Sequence, residues 1–266
     1  MQANNANAAD LALVEELTRE AGRIAFSYFG KDPQVWMKEG ASPVSQADFA
    51  VDSFLKEKLL EARPDYGWLS EETEDTTARL EKKRTFVVDP IDGTRGFLKG
   101  MDRWCVSVAI VENRRPVVGV LNAPVLDETL CAAAGTGAKF NGAEMKTRSM
   151  GNPIVMTGPR KFLGDDDTQF GKVIEKTAFI PSLAWRIAIV AKGEIDVALA
   201  RGSACDWDLA AADLIVHEAQ GKLTDFDGAM LDYNCKSIRH GTLVASERTG
   251  HEEILDLTRQ AMDKRR

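Results

Sequence analysis

Residues 87–100 read VVDPIDGTRGFLKG. Asp89 and Asp92 stand at the end of an apolar run and lead into Gly93 and Thr94. Unpaired carboxylates do not tolerate desolvation, so acids placed there need water, a basic partner or a cation. The D-x-x-D spacing flanks the backbone carbonyl of Ile91, and hard oxygen donors of this kind suit Mg²⁺. Asp-Gly is also a strong turn signal, so the stretch alone reads equally well as a turn. It gains weight by following a strand, because strand ends beside glycine turns are where ligands sit in α/β proteins. A nucleophilic D-x-D-G-T arrangement does not apply: the position two before Asp92 is Pro90, which cannot attack anything.

Three further acidic positions invite the same question. Glu71 and Glu72, in SEETED, lie about twenty residues before Asp89 at the end of another short strand. An acidic run is usually a solvated loop, but two strand ends can deliver their acids to one place. Asp206 and Asp208, in CDWDLAAADLIVHEAQG, suit the first turn of a helix, where the dipole favours negative charge. That reading leaves Trp207, wedged between two acids, without a role. Asp48 follows Ser45 in a capping-box pattern. His217, His240 and His251 stand in no triad-like or ligand-like context, which argues against Ser-His-Asp chemistry.

The elements that must position these groups follow from periodicity. Leu13, Leu17, Ala21, Ile24 and Tyr28 predict a helix from about Ala9 to Phe29, after a flexible polar tail over residues 1–10. A loop, KDPQVWMKEGASPV, leads to Ser45, which opens a second helix. GWLS and TFVVD read as strands, WCVSVAIVENRRPVVGVLNAP as a hairpin, and TLCAAAG and AKFNG as its continuation. Beyond a break near residues 147–153, PIVMTG, IDVALA and TLVAS read as strands. SLAWRIAIVAKG reads as a helix closed by Gly193, WDLAAADLIVHEAQG as a helix, and a last helix begins near Gly250. This divides the chain into an α+β half over 11–150 and an α/β half over 151–266, forming one catalytic unit.

The chain has 266 residues, 44% hydrophobic and 28% charged, with a net charge of −7. These are the proportions of an ordinary globular protein, and the acidic balance argues against a nucleic-acid binder. No apolar stretch is long enough to span a bilayer. The four cysteines form no C-x-x-C pair, so they read as reduced thiols, and the opening MQANNANAAD lacks the marks of a signal peptide. The expectation is a cytoplasmic enzyme acting on a small molecule.

Taken together, SEET, DPIDGT and WDLAA…EAQG, in this order, resemble the three signatures of the inositol monophosphatase superfamily, and KEGASPVSQAD is similar to its lysine loop and following segment. The resemblance spans about residues 9–260 and implies a layered αβαβα sandwich that hydrolyses a phosphate monoester. By that resemblance Glu71 and Asp89, with the Ile91 carbonyl, hold one Mg²⁺. Asp89, Asp92 and Asp208 hold a second, in a site of two or three ions. Glu71 and Thr94 activate water, and Asp48 supports Thr94. Asp92, Gly93 and Thr94 cradle the phosphate, helped by Lys38, and exposed amides at a helix start make sense of that. The family also implies a homodimer and inhibition by Li⁺. The chain departs from the family pattern at Pro181 before Ser182, at Ser45, and at Gln220-Gly221. None of these is a proposed ligand.

DGTRGFLKG is closer to the 3′(2′),5′-bisphosphate nucleotidase and histidinol-phosphatase branches than to the inositol enzymes. Arg186 aligns with a basic residue of the nucleotidase branch and reads either as a phosphate contact or as a surface charge on an amphipathic helix. Asp206 reads either as a group facing substrate hydroxyls or as a helix cap. The candidate substrates are inositol monophosphate and a bisphosphate nucleotide, with histidinol phosphate as an alternative. A catalytically silent metal- or phosphate-binding module is the alternative of another class, and the complete acidic set speaks against it.

Overall fold

A computed structural model describes residues 2–38, 42–159, 173–178 and 180–263. Helices α1 (Gln2–Tyr28) and α2 (Gln46–Ala62) pack side by side on one face of a seven-stranded sheet. That sheet runs β3 (Gly67–Ser70), β4 (Arg84–Asp92), β5 (Cys105–Glu112), β6 (Arg115–Ala123), β7 (Glu128–Ala133), β8 (Ala138–Phe140) and β9 (Ala143–Met145) in spatial order. All its pairs are antiparallel except β3 with β4. A short helix, α3 (Thr94–Leu98), follows β4. The opposite face carries α4 (Leu183–Ala188) and α5 (Asp206–Glu218). Beyond them lies a five-stranded sheet of β10 (Ile154–Thr157), β11 (Ile174–Lys176), β12 (Val197–Ala200), β13 (Gly221–Asp225) and β14 (Leu243–Glu247), in the order β11-β10-β12-β14-β13. A final helix, α6 (His251–Asp263), packs on β14. The layers are therefore αβαβα, as expected.

The alternation of β4 shows how the layers are filled. Phe86 and Val88 belong to the core under α1 and α2, and Val87 belongs to the core under α4 and α5. With both faces covered, β4 is buried throughout, which explains its unbroken apolar run. Close helix–sheet contact has its own sequence requirement. A Cβ on Gly119 of β6 would stand 2.8 Å from the Ala211 carbonyl oxygen of α5, so only glycine lets that helix settle.

Some boundaries differ from the sequence reading. Helix α1 begins at Gln2, not Ala9. Its first turns show no apolar stripe because their inward positions are polar. Asn7 and Asp10 are buried and bonded to Arg84 of β4 at 2.8 and 2.7 Å, so this stretch is docked helix and not a tail. The loop before Ser45 contains a small hairpin, β1 (Val35–Met37) with β2 (Pro43–Ser45). Helix α4 stops at Ala188, and turns carry the chain to Gly193 through the β-branched Ile189 and Val190. Strands β11 and β13 were not foreseen, and AKFNG opens a second short hairpin, β8–β9.

Candidate active site

Asp89 and Asp92 are three residues apart, so a regular strand would send them to opposite faces. The register of β4 on β5 shifts between them: Asp89 pairs with Ser107, and Asp92 with Cys105. Three steps on β4 thus match two on β5, which is a β-bulge. Pro90, lacking an N–H, sits where the ladder is broken. Ile91 consequently takes the side of Phe86 and Val88, and both aspartates are left on the side of α5. There they meet Asp208, and one carboxylate oxygen from each of the three lies within 4.8 Å of the others.

Backbone donors fix each acid. Asp89 accepts the Ile91 N–H at 3.0 Å. Asp92 accepts the N–H groups of Leu183 (3.1 Å) and Ala184 (2.6 Å) at the start of α4, and the Ser182 hydroxyl. Asp208 accepts the Cys205 N–H at 2.6 Å, so the helix-capping role expected of a first-turn acid is real and coexists with its place in the cluster. Burial, with the charges of Glu71 and Asp92 added, pushes the Asp89 carboxyl well above its usual range. Burial also pushes Asp208 well up, reinforced by Asp92, and lifts Asp92 to about 6 against the pull of its Ser182 and backbone bonds. Three desolvated carboxylates in mutual repulsion must either hold protons or share a cation. Their hard oxygens fit a divalent ion such as Mg²⁺.

Glu71 continues the β3–β4 ladder through its N–H to Val88 O (3.2 Å), which brings its side chain to the same cavity. Lys38 reaches over from the end of the β1 strand to Glu71 Oε1 (2.9 Å) and Glu72 Oε1 (2.7 Å). Burial raises the Glu72 carboxyl to about 7 despite that lysine. Gly93 has φ +95°, and a Cβ there would stand 3.0 Å from the Ser182 nitrogen, so the turn into α3 requires glycine twice over. Thr94 Oγ1 lies 3.0 Å from Ile91 O and 3.2 Å from Asp48 Oδ1. Asp48 uses its other oxygen to accept the Ser45 N–H (2.8 Å) and hydroxyl (2.6 Å). The capping box and the support of Thr94 are therefore both present, one on each oxygen.

Lys38, Glu71, Asp89, Asp92, Thr94 and Asp208 line a cavity of about 720 Å³, with Ile91 and Gly93 between them, and Asp48 stands behind Thr94. Arg186 lines the cavity too. It is 8% exposed and its Nε has no partner, so it is no surface charge. Asp206 corrects the sequence reading in the other direction. It is fully buried, with one oxygen accepting the Asn234 N–H (2.7 Å) and the other 2.7 Å from His240 Nε2. Nothing is left to face substrate hydroxyls. Sequence reasoning also overlooked Ser182, Arg201 and Arg239. The first locks Asp92, and the other two line the cavity. Ser182 stood out only through the neighbouring Pro181, and the arginines belong to no motif.

A five-layer sandwich brings three aspartates together at a bulged strand end, with hard oxygen donors suited to a divalent cation. Residues 7–263 match the model of the inositol monophosphatase family, and the chain belongs to that family. The phosphatase expected from its sequence stands. It is 32% identical over 259 residues to a histidinol-phosphatase of Mycobacterium tuberculosis, covering 92% of this chain and 96% of that one. An inositol-1-monophosphatase of Rhizobium meliloti is 30% identical, with 97% and 98% covered. The solved Thermotoga maritima IMPase superposes with a TM-score of 0.84 at 27% identity, covering 96% of this chain and 99% of that one.

Proposed function

We propose that the chain is a Mg²⁺-dependent hydrolase of small phosphate monoesters. The observation that carries this is the trio of the buried Asp89 and Asp92 and the half-buried Asp208, with one oxygen of each within 4.8 Å of the others. Asp89 and Glu71, with the Ile91 carbonyl, would hold one Mg²⁺; Asp89, Asp92 and Asp208 would hold another, in a site of two or three ions. Bound Mg²⁺ would neutralise the ester phosphate, lower the pKa of a water and stabilise the leaving alkoxide.

The chain's own groups do the rest. Thr94 Oγ1, held between Ile91 O and Asp48 Oδ1, orients the attacking water and relays its proton toward Asp48 or Glu71. Asp48 suits that part because burial raises its carboxyl above the usual range. The Gly93 and Thr94 amides receive phosphate oxygens. Lys38, tethered by Glu71 and Glu72, adds positive charge at the mouth, and Arg186 adds it within. The substrate is inositol monophosphate, a 3′(2′),5′-bisphosphate nucleotide or histidinol phosphate, the last named by the Mycobacterium relative. From the family we infer a cytoplasmic homodimer that Li⁺ inhibits. Neither membrane nor nucleic acid enters this reading, and among the described residues no helix is long and apolar enough to cross a bilayer. A panel of these esters compared by kcat/KM with Mg²⁺ and with EDTA tests the proposal. Metal-independent release would refute it.

A further inference from the structure

The arginines of this chain are mostly paired. Arg63, Arg79, Arg84, Arg115 and Arg148 each bond a carboxylate at 3.1 Å or less. Three that line the cavity do not. Arg186 comes from α4, Arg201 from the end of β12, and Arg239 from the segment before β14. Among the described residues none of the three forms an ion pair, and the buried Nε of Arg186 has no hydrogen-bond partner at all. Arg239 lies near enough to oppose the upward shift of the Asp208 carboxyl without bonding it. In a chain of net charge −7, three unpaired guanidinium groups converging from separate segments on one cavity are not a consequence of composition.

The scissile phosphate already has its own provisions: the metal ligands, the Gly93–Thr94 turn and Lys38. A cavity of about 720 Å³ holds a whole small molecule, since such sites run to about 300–1,000 Å³. We infer that Arg201 and Arg239, with Arg186, form a subsite for a second anionic group, phosphate or carboxylate, so that the substrate is an ester carrying a remote negative charge and not a neutral polyol monophosphate. Guanidinium forks hold such oxygens two at a time. This rests on the phosphatase reading above and narrows its substrate class.

The test compares matched esters by kcat/KM with Mg²⁺: adenosine 3′,5′-bisphosphate against adenosine 3′-monophosphate, and 3-phosphoglycerate against glycerol 3-phosphate. The first pair differs by a remote phosphate, the second by a remote carboxylate. Arg201 and Arg239 are exposed, so Arg201→Gln, Arg239→Gln and the double variant should fold normally. The wild type should prefer the doubly charged member of at least one pair, and the double variant should shrink that preference about ten- to a hundred-fold. Which pair responds identifies the anion. If the wild type turns over these esters with no preference in either pair, or with a preference that the substitutions leave intact, the subsite is refuted and the phosphatase reading survives. If it turns over none of the four, the subsite is refuted, and the phosphatase reading is decided separately by phosphate release from inositol 1-phosphate and histidinol phosphate with and without Mg²⁺.

Discussion

Asp89 is the cleanest probe of the acidic cluster, because among the described residues only the Ile91 N–H is bonded to its carboxylate. Asp89→Asn keeps that acceptor and removes the charge. Its carboxyl is raised by burial and by acidic neighbours, so in metal-free protein the ionised form opposes folding and stability falls as pH rises toward its folded pKa. The variant should therefore unfold at a higher temperature than wild type in EDTA at neutral pH, gain less from Mg²⁺, and lose activity by orders of magnitude. A lower melting temperature in EDTA would mean that the charge is compensated within the protein. Ser182→Ala removes the hydroxyl on Asp92 but leaves its two backbone donors. Hydrogen bonds to charged groups are worth about 1.5–3 kcal/mol, so kcat/KM should fall about ten- to a hundred-fold, with Ser182→Thr recovering part of it. The acids of this site were legible because metal chemistry restricts residue type and spacing. Ser182 and the cavity arginines were not, because any segment that folds back can supply a hydroxyl or a guanidinium. Asp206 misled for a related reason: a first-turn acid looks the same whether it faces a cavity or, as here, His240.

At the scale of elements, the start of α6 carries a pH-dependent anchor. His251 is fully buried, with Nδ1 2.7 Å from Ser246 Oγ of β14 and Nε2 2.8 Å from Thr224 Oγ1 of β13. Burial, helped by the charge of Lys222, lowers its pKa to about 4, against about 6.5 when unfolded. Between those values the unfolded chain binds more protons. The histidine's contribution is thus complete above about pH 6.5 and is lost as pH falls toward 4, by at most about 1.4 kcal/mol per unit. The buried aspartates pull the other way, so the readout is the difference in urea midpoint between wild type and His251→Gln, at pH 7 and at pH 5. The gap should narrow at pH 5; a constant gap would mean that His251 is not neutral in the fold. The strands of the large sheet were legible because apolar runs and turns mark them plainly. The first turns of α1 were not, since their buried side is held by the polar Asn7 and Asp10 against Arg84, and polar burial leaves no periodic trace. The bulge in β4 was equally hidden, although Pro90 and the D-x-x-D spacing are its signature once the register is known.

Across the whole molecule, the cluster joins the layers. Asp89 and Asp92 belong to the seven-stranded sheet, and Asp208 to the helix that separates it from the five-stranded one. A divalent ion held by all three binds only when these layers are assembled. Mg²⁺ at a hundred times its dissociation constant should then stabilise the fold by about 2.7 kcal/mol. Gly119→Ala acts on the same seam by forcing a Cβ against the Ala211 carbonyl. It should cost about 1–3 kcal/mol, read as a lower urea midpoint, and weaken Mg²⁺ affinity along with it; an unchanged midpoint would show that α5 has room to move. The central claim, that this cavity hydrolyses phosphate esters through a cation held by the buried acids, is tested most directly by phosphate release from one ester in EDTA and across a Mg²⁺ titration, wild type beside Asp89→Asn. The account predicts no release in EDTA, saturable activation of the wild type by Mg²⁺, and almost none for the variant. Equal release with and without metal, or a variant as active as wild type at limiting Mg²⁺, would contradict it.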